Sequence, residues 1–214
     1  MVHIVIFAKA PQPGRVKTRL IPAVGAEGAA TLARRLLAHT LRQALAAGVG
    51  KVELCMSPAP IDAAWHGVAV PSDVVQTGQG EGDLGERMAC AVKRSTQLSD
   101  PAAGPVILVG TDCPALTAPL LKQAAQQLQT HDAVLLPAHD GGYVLLGLKS
   151  PCPELFEYMA WSTSVVSAET LRRMATLGMR VWQGPTLHDI DEPADLQHLP
   201  TLFLEPLPSN RALT

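Results

Sequence analysis

The sequence predicts an α/β fold built on an open, mainly parallel sheet, and three observations carry that expectation. VHIVIFA, residues 2–8, is a short β-branched run without polar alternation, the signature of a strand buried on both faces. It is followed by Pro11, Pro13 and Gly14, which stop the strand, and then by Leu32, Leu36, Leu37, Leu41 and Leu45 at helical spacing until Gly48. VILVG, residues 106–110, is the most apolar run of all and is placed at the centre of the sheet.

The remaining elements follow in order. KVELCMS (51–57) and DVVQT (73–77) read as strands, with a short helix and loop between them over 58–71. GQGEGDLGERM supplies glycines and then a helix through residues 89–97, and DPAAGP (100–105) is a surface connection. A helix is expected over 119–129, strands over AVLLPA (133–138) and YVLLGL (143–148), a helix over 167–177 ended by Gly178, and a last strand at MRVWQ. The pair Gly141 and Gly142 marks a tight turn or bulge between two strands. One domain over 1–199 and a Pro-containing tail over 200–214 fit the length of 214 residues.

Composition narrows the function. A net charge of −2 and 4% aromatic residues argue against a nucleic-acid binder, which needs a basic face or a stacking platform. Cys55, Cys90, Cys113 and Cys152 show no CxxC spacing, which suits reduced thiols in a cytoplasmic protein. The N-terminal apolar run is too short for a membrane span or a signal segment, so neither membrane nor nucleic acid is an expected partner.

Charge is concentrated instead in FAKAPQPGRVKTRL, residues 7–20. Lys9, Arg15, Lys17 and Arg19 lie within eleven residues, and no acid appears before Glu27. A positive loop at the carboxyl end of a strand is placed where open α/β sheets bind ligands, so a nucleotide phosphate is the expected guest. The loop is neither a Walker A nor a GxGxxG element, and side-chain cations rather than bare amides are expected to hold the phosphates. Glu86 and Arg87, in the second strand-to-helix loop at the same edge, are further nucleotide-binding candidates.

Three acidic motifs face this loop. In GTDCPALT, Asp112 follows the central strand and is the leading ligand for Mg²⁺ or Mn²⁺, with a helix-capping role as the competing reading. In LHDIDEPADL, Asp189 and Asp191 alternate as on a strand end and can complete that metal site, while Asp191 or Glu192 could instead cap the short helix that Pro193 opens. In PAHDGGYVLLGL, Asp140 is a candidate general base or acceptor ligand, with a tight-turn role as the alternative. Gly141, Gly142 and Tyr143 join it as acceptor-binding candidates, together with Trp161, Ser162 and Thr163 of WSTS, although a staple and cap would also explain WSTS. Asp140 and Lys17 are the candidate catalytic residues.

FAKAPQPGRVKTRL, GDLGERM, GTDCPALT, PAHDGGYVLLGL, WSTS and DIDEPADL, in this order, resemble a bacterial glycosyltransferase-A-like family of unknown function. That family is similar to nucleotide-diphospho-sugar transferases and to the molybdenum cofactor and phospholactate guanylyltransferases. The resemblance implies a three-layer α/β/α fold, a nucleotide in the N-terminal half and an acceptor in the C-terminal half. It also implies phosphate contacts from Lys9, Arg15, Lys17 and Arg19 and a metal carboxylate at Asp112. The Pro-containing loop replaces the Arg-Met-Gly loop of the guanylyltransferases, and Thr-Asp-Cys replaces the Asp-x-Asp of many glycosyltransferases. The expected function is metal-dependent transfer from a nucleotide-activated donor to a small acceptor, with an NDP-sugar glycosyltransferase first and a nucleotidyltransferase as the alternative. A nucleotide-binding module without turnover is the third reading.

Overall fold

A computed structural model describes residues 1–96 and 104–203. Seven strands form one sheet: β1 (His3–Lys9), β2 (Val52–Ser57), β3 (Val74–Gly78), β4 (Val106–Val109), β5 (Ala133–Pro137), β6 (Tyr143–Leu148) and β7 (Val181–Gln183), in the spatial order β3-β2-β1-β4-β6-β5-β7. β4 is central, as its all-apolar composition predicts. Every neighbouring pair is parallel except those of β6, which runs antiparallel to both β4 and β5. Continuous apolar character does not report strand direction. The reversal comes from the short turn at Gly141 and Gly142, which leaves no length for a crossover.

Among the described residues four α-helices cover the sheet: α1 (Ile21–Ala47), α2 (Leu84–Ser95), α3 (Ala118–Gln127) and α4 (Val166–Thr176). Alternation along β1 shows how the layers form. Ile4, Ile6 and Ala8 join a core with Leu37 and Leu41 of α1 and Leu121 and Ala124 of α3. Val5 points the other way, into a core with Met88 and Val92 of α2 and Met174 of α4. Two helices per face make the three layers.

A third apolar cluster positions the site. Leu20, Leu32 and Leu36 pack against Ile190, Leu199 and Phe203, so the C-terminal segment is pinned beside the end of the basic loop. α1 is interrupted at Gly25, whose φ of 73° and ψ of 167° are not helical, and it ends at Gly48 in the left-handed conformation that favours glycine. Described packing continues through the short 3₁₀ turn Thr201–Phe203, beyond the boundary expected at residue 199, while the rest of the tail and most of DPAAGP lie outside the described residues.

Candidate functional site

β1 ends at Lys9, and the chain turns through Gly14 into the 3₁₀ helix Thr18–Leu20. Lys17, which precedes that helix, adopts φ 49° and ψ 42°. A left-handed non-glycine residue costs roughly 1–2 kcal/mol. The surrounding contacts offset it: Leu20 N donates to the Lys17 carbonyl, and the lysine side chain is 3% exposed. Its Nζ lies 2.5 Å from Asp112 Oδ1 and donates to Asp191 Oδ1 at 2.9 Å and to the Ile190 carbonyl at 2.6 Å. Burial alone would lower the lysine's pKa, but Asp112 and Asp191 outweigh it and hold the ammonium above its ordinary value.

Asp112 stands in the loop after β4, and Ile190 N donates to its carbonyl at 2.9 Å. This contact brings LHDIDEPADL to the end of the central strand. Asp112 does not cap α3, which starts six residues later behind Thr117. Asp191 does not cap the short helix that follows it either. Asp195 Oδ2 accepts from the amides of Asp191 and Glu192 at 3.0 and 2.7 Å, and Glu192 is the N-cap of the 3₁₀ helix Pro193–His198. The Asp191 carboxylate is therefore left to face Lys17. Burial, then the nearby Asp140, push Asp189 up to about 6, with Asp191 and Asp112 adding to the effect.

Lys17, Asp112, Asp191 and Glu192 line a cleft of about 660 Å³ at the carboxyl ends of the strands, together with Lys9, Arg15, Arg19, Gln79 and Asp140; Asp189 is not among the lining residues. Asp140 is both a turn residue and a cleft residue: Oδ1 accepts from Gly142 N at 2.7 Å, and the side chain still borders the opening. A smaller apolar recess of about 250 Å³ shares Asp140, Ser162 and Thr163 with the cleft and adds Met88, Tyr143 and Trp161. Burial raises the Tyr143 phenol, whose hydroxyl has the Met88 sulfur 3.9 Å away. Gly141 has φ 91°, and a Cβ there would collide with the Ser164 backbone; Ser167 N donates to the Gly141 carbonyl at 2.8 Å. The glycine thus seats the WSTS loop on the β5–β6 turn. WSTS does not cap α4, which has Val165 at its N-cap and no side-chain cap bond.

The predicted residues are gathered unevenly. Lys9, Arg15, Lys17, Arg19, Asp112, Asp140 and Asp191 meet at the cleft, and Tyr143, Gly142 and Trp161 line the recess behind it. The loop that reads as acid-free in sequence is partly neutralised by distant acids: Lys17 by Asp112 and Asp191, and Arg19 by Glu192 at 3.6 Å. Glu86 is engaged in a capping box with Asp83, and Arg87 donates to the Gly82 carbonyl at 2.9 Å, so both stabilise the start of α2 beside the cleft. Among the described residues no three His, Cys, Asp or Glu side chains converge as a ready metal-binding group. Asp112 and Asp191 converge on Lys17 instead. Gln79 escaped the sequence reading: buried, it donates through Nε2 to the carbonyls of Ala8 and Cys55, both at 3.1 Å, tying the ends of β1 and β2. Its signal was a lone amide between two glycines directly after a strand.

The sheet order and the cleft at its carboxyl edge define a nucleotide-diphospho-sugar transferase fold, and solved structures agree. The chain belongs to the family described as "Uncharacterized protein conserved in bacteria (DUF2064)", whose profile matches residues 40–163. A protein of Desulfovibrio desulfuricans G20, provisionally called a nucleotide-diphospho-sugar transferase, is 34% identical, with 91% of this chain and 84% of that one covered and a TM-score of 0.82. Rv0371c of Mycobacterium tuberculosis H37Rv, solved with manganese, shares the fold at 15% identity, covering 92% of this chain and 96% of that one at a TM-score of 0.55. CMP:2-keto-3-deoxy-manno-octonic acid synthetase complexed with CTP does so at 13% identity, covering 95% and 98% at a TM-score of 0.57. No curated protein matches the chain. Among the described residues no helix is long and apolar enough to cross a membrane.

Proposed function

We propose that this chain is a metal-dependent transferase that takes a nucleotide-activated sugar as donor and a small molecule as acceptor. The observation that carries this reading is the meeting, in one cleft, of the basic loop after β1 with the carboxylates Asp112 and Asp191. Cations bind a diphosphate, and carboxylates beside it suit a hard divalent ion. The donor set fits Mg²⁺ or Mn²⁺: it is all oxygen, and both carboxylates are nearly half exposed to the cleft, at 47% and 41%. The manganese in the structure of Rv0371c supports divalent metal use on this fold.

In this reading Asp112 and Asp191 hold the ion, with Asp189 next to them. When bound, the ion supplies charge neutralisation for the leaving diphosphate. Lys9 and Arg15, both exposed at the cleft, bind phosphate oxygens, and Lys17 and Arg19 assist the leaving group. The acceptor lies against Asp140, Gly142, Tyr143, Trp161, Ser162 and Thr163, and Asp140, through the oxygen not bonded to Gly142, takes the proton of its attacking hydroxyl. The provisional description of the Desulfovibrio protein, at 34% identity, favours sugar transfer over nucleotidyl transfer. A turnover assay tests this directly. NDP-sugars incubated with Mg²⁺ or Mn²⁺ and a mixture of small hydroxylated acceptors are expected to release nucleoside diphosphate. Pyrophosphate release from a nucleoside triphosphate would assign nucleotidyl transfer instead.

A further inference from the structure

A cation already lies between the two carboxylates assigned above to the metal, and it belongs to the chain. An ammonium group has three donors and no acceptor. In Lys17 three oxygens surround the group: Asp112 Oδ1 at 2.5 Å, Ile190 O at 2.6 Å and Asp191 Oδ1 at 2.9 Å. Two of these oxygens accept hydrogen bonds and Asp112 closes an ion pair, so the ammonium is enclosed by the chain's own oxygens and is turned away from a phosphate in the cleft. An Mg²⁺-sized ion binds oxygens at about 2.0–2.1 Å. An ion held between Asp112 and Asp191 would compete with Lys17 for the carboxylate oxygens that the ammonium contacts.

We propose that Lys17 is a displaceable internal counter-ion: the Asp112–Asp191 pair exchanges its ammonium for the divalent cation, and the freed lysine turns to the phosphates of the incoming donor. The idea rests on the metal-binding reading above. It follows from the enclosed ammonium of Lys17 and from the long flexible stem that joins its head to an exposed loop. Two consequences are distinctive. Metal alone binds weakly because it competes with a tethered cation. Metal and phosphate bind with mutual reinforcement, since each favours the displaced lysine, and linkage makes that coupling reciprocal.

The test is Mn²⁺ uptake by the full chain without nucleotide, followed by the EPR signal of the free ion, in wild type, Lys17→Met, Lys17→Arg, Asp112→Asn and the Lys17→Met/Asp112→Asn double variant. Melting temperatures are recorded for each protein. Lys17→Met is expected to bind Mn²⁺ at least tenfold more tightly than wild type, while Lys17→Arg stays weak. The gain is expected to vanish in the double variant, which loses a carboxylate. Inorganic pyrophosphate should tighten Mn²⁺ binding to wild type and have a much smaller effect on Lys17→Met, after correction for Mn²⁺–pyrophosphate association. Equal or weaker Mn²⁺ binding by a folded Lys17→Met protein overturns the exchange and leaves the metal site standing. Absence of Mn²⁺ uptake by every variant overturns the metal reading itself, and the exchange with it.

Discussion

The amide of Ile190 donates to the carbonyl of Asp112 at 2.9 Å, joining residues 78 positions apart at the end of the central strand. Ile190 is fully buried with Leu20, Leu32 and Leu36, so the contact is backed by apolar packing and by the Lys17 bond to the Ile190 carbonyl. The carboxylates on either side are thus held by backbone and core, which separates their chemistry from their scaffolding.

Asp112→Asn should therefore abolish metal-dependent nucleotide binding while leaving the fold in place. The amide keeps the size of the side chain but loses the charge that a hard cation requires. Lys17, 3% exposed, keeps Asp191 and the Ile190 carbonyl as partners, so its buried ammonium is not left unpaired; a lowered melting temperature with a cooperative transition is expected. Calorimetric titration with and without Mg²⁺, beside thermal melts, checks both halves. Full metal-dependent binding by the variant would remove Asp112 from the site.

Lys17→Ala should weaken binding of a nucleoside diphosphate far more than binding of the nucleoside. Charge-assisted hydrogen bonds contribute about 1.5–3 kcal/mol, or roughly 10- to 100-fold in affinity. Arg19→Ala should act in the same direction with little change in stability, since its 3.6 Å pair with Glu192 has both side chains more than 60% exposed. Equal losses for nucleoside and diphosphate would exclude a phosphate role.

How much of this was legible beforehand depends on separation along the chain. The seven described strands were readable because apolar or β-branched runs bounded by turn residues signal themselves locally, whether buried as in β1, β2, β4, β5 and β6 or partly exposed as at the edge strands β3 and β7. The antiparallel sense of β6 was not, since apolar composition carries no direction. The first turns of α1 were missed because Gly25 and Gly28 interrupt the leucine spacing. The basic loop was found as a source of charge, but its pairing with Asp112 and Asp191 spans 95 and 174 positions and exists only after the sheet forms. Gln79 and the capping duty of Glu86 are likewise products of tertiary placement and loop geometry.

Gly141→Ala should destabilise the protein by on the order of 2 kcal/mol or more. The added methyl meets the Ser164 backbone at a residue whose φ of 91° already excludes L side chains. The loop carrying Trp161 rests on this turn, so tryptophan fluorescence should shift as well. Gly142→Ala, where φ is not positive and the nearest atom is Asp140 Oδ1 at 3.1 Å, should be the milder change.

A buried network around Glu53 should make stability fall in acid. Glu53, 2% exposed, pairs with Arg94, accepts from Thr77 Oγ1 at 2.6 Å and lies 3.2 Å from His3 Nε2. Burial opposes ionisation, but His3, Thr77 and Arg94 together bring its carboxyl down to about 2. An unfolded glutamate titrates near pH 4.3. A depressed native value means that this contribution is fully present above that pH and is lost as pH falls towards 2. Glu53→Gln should cost on the order of 1–3 kcal/mol at pH 7, the range for lost charge-assisted hydrogen bonds, because Arg94, 40% exposed, can regain water. The gap from wild type should narrow between pH 4.5 and pH 2 in denaturant titrations; a pH-independent gap would contradict the assignment.

The most direct test of sugar-nucleotide use is a titration of the full chain with a panel of nucleoside diphosphates and the matching triphosphates, each with Mg²⁺ or Mn²⁺. A sugar donor leaves a diphosphate in the cleft of Lys9, Arg15 and Asp112, whereas a nucleotidyl donor enters as a triphosphate. Tighter metal-dependent binding of one diphosphate than of its triphosphate is expected. A clear preference for one triphosphate, with pyrophosphate released when a phosphorylated acceptor is added, would contradict it.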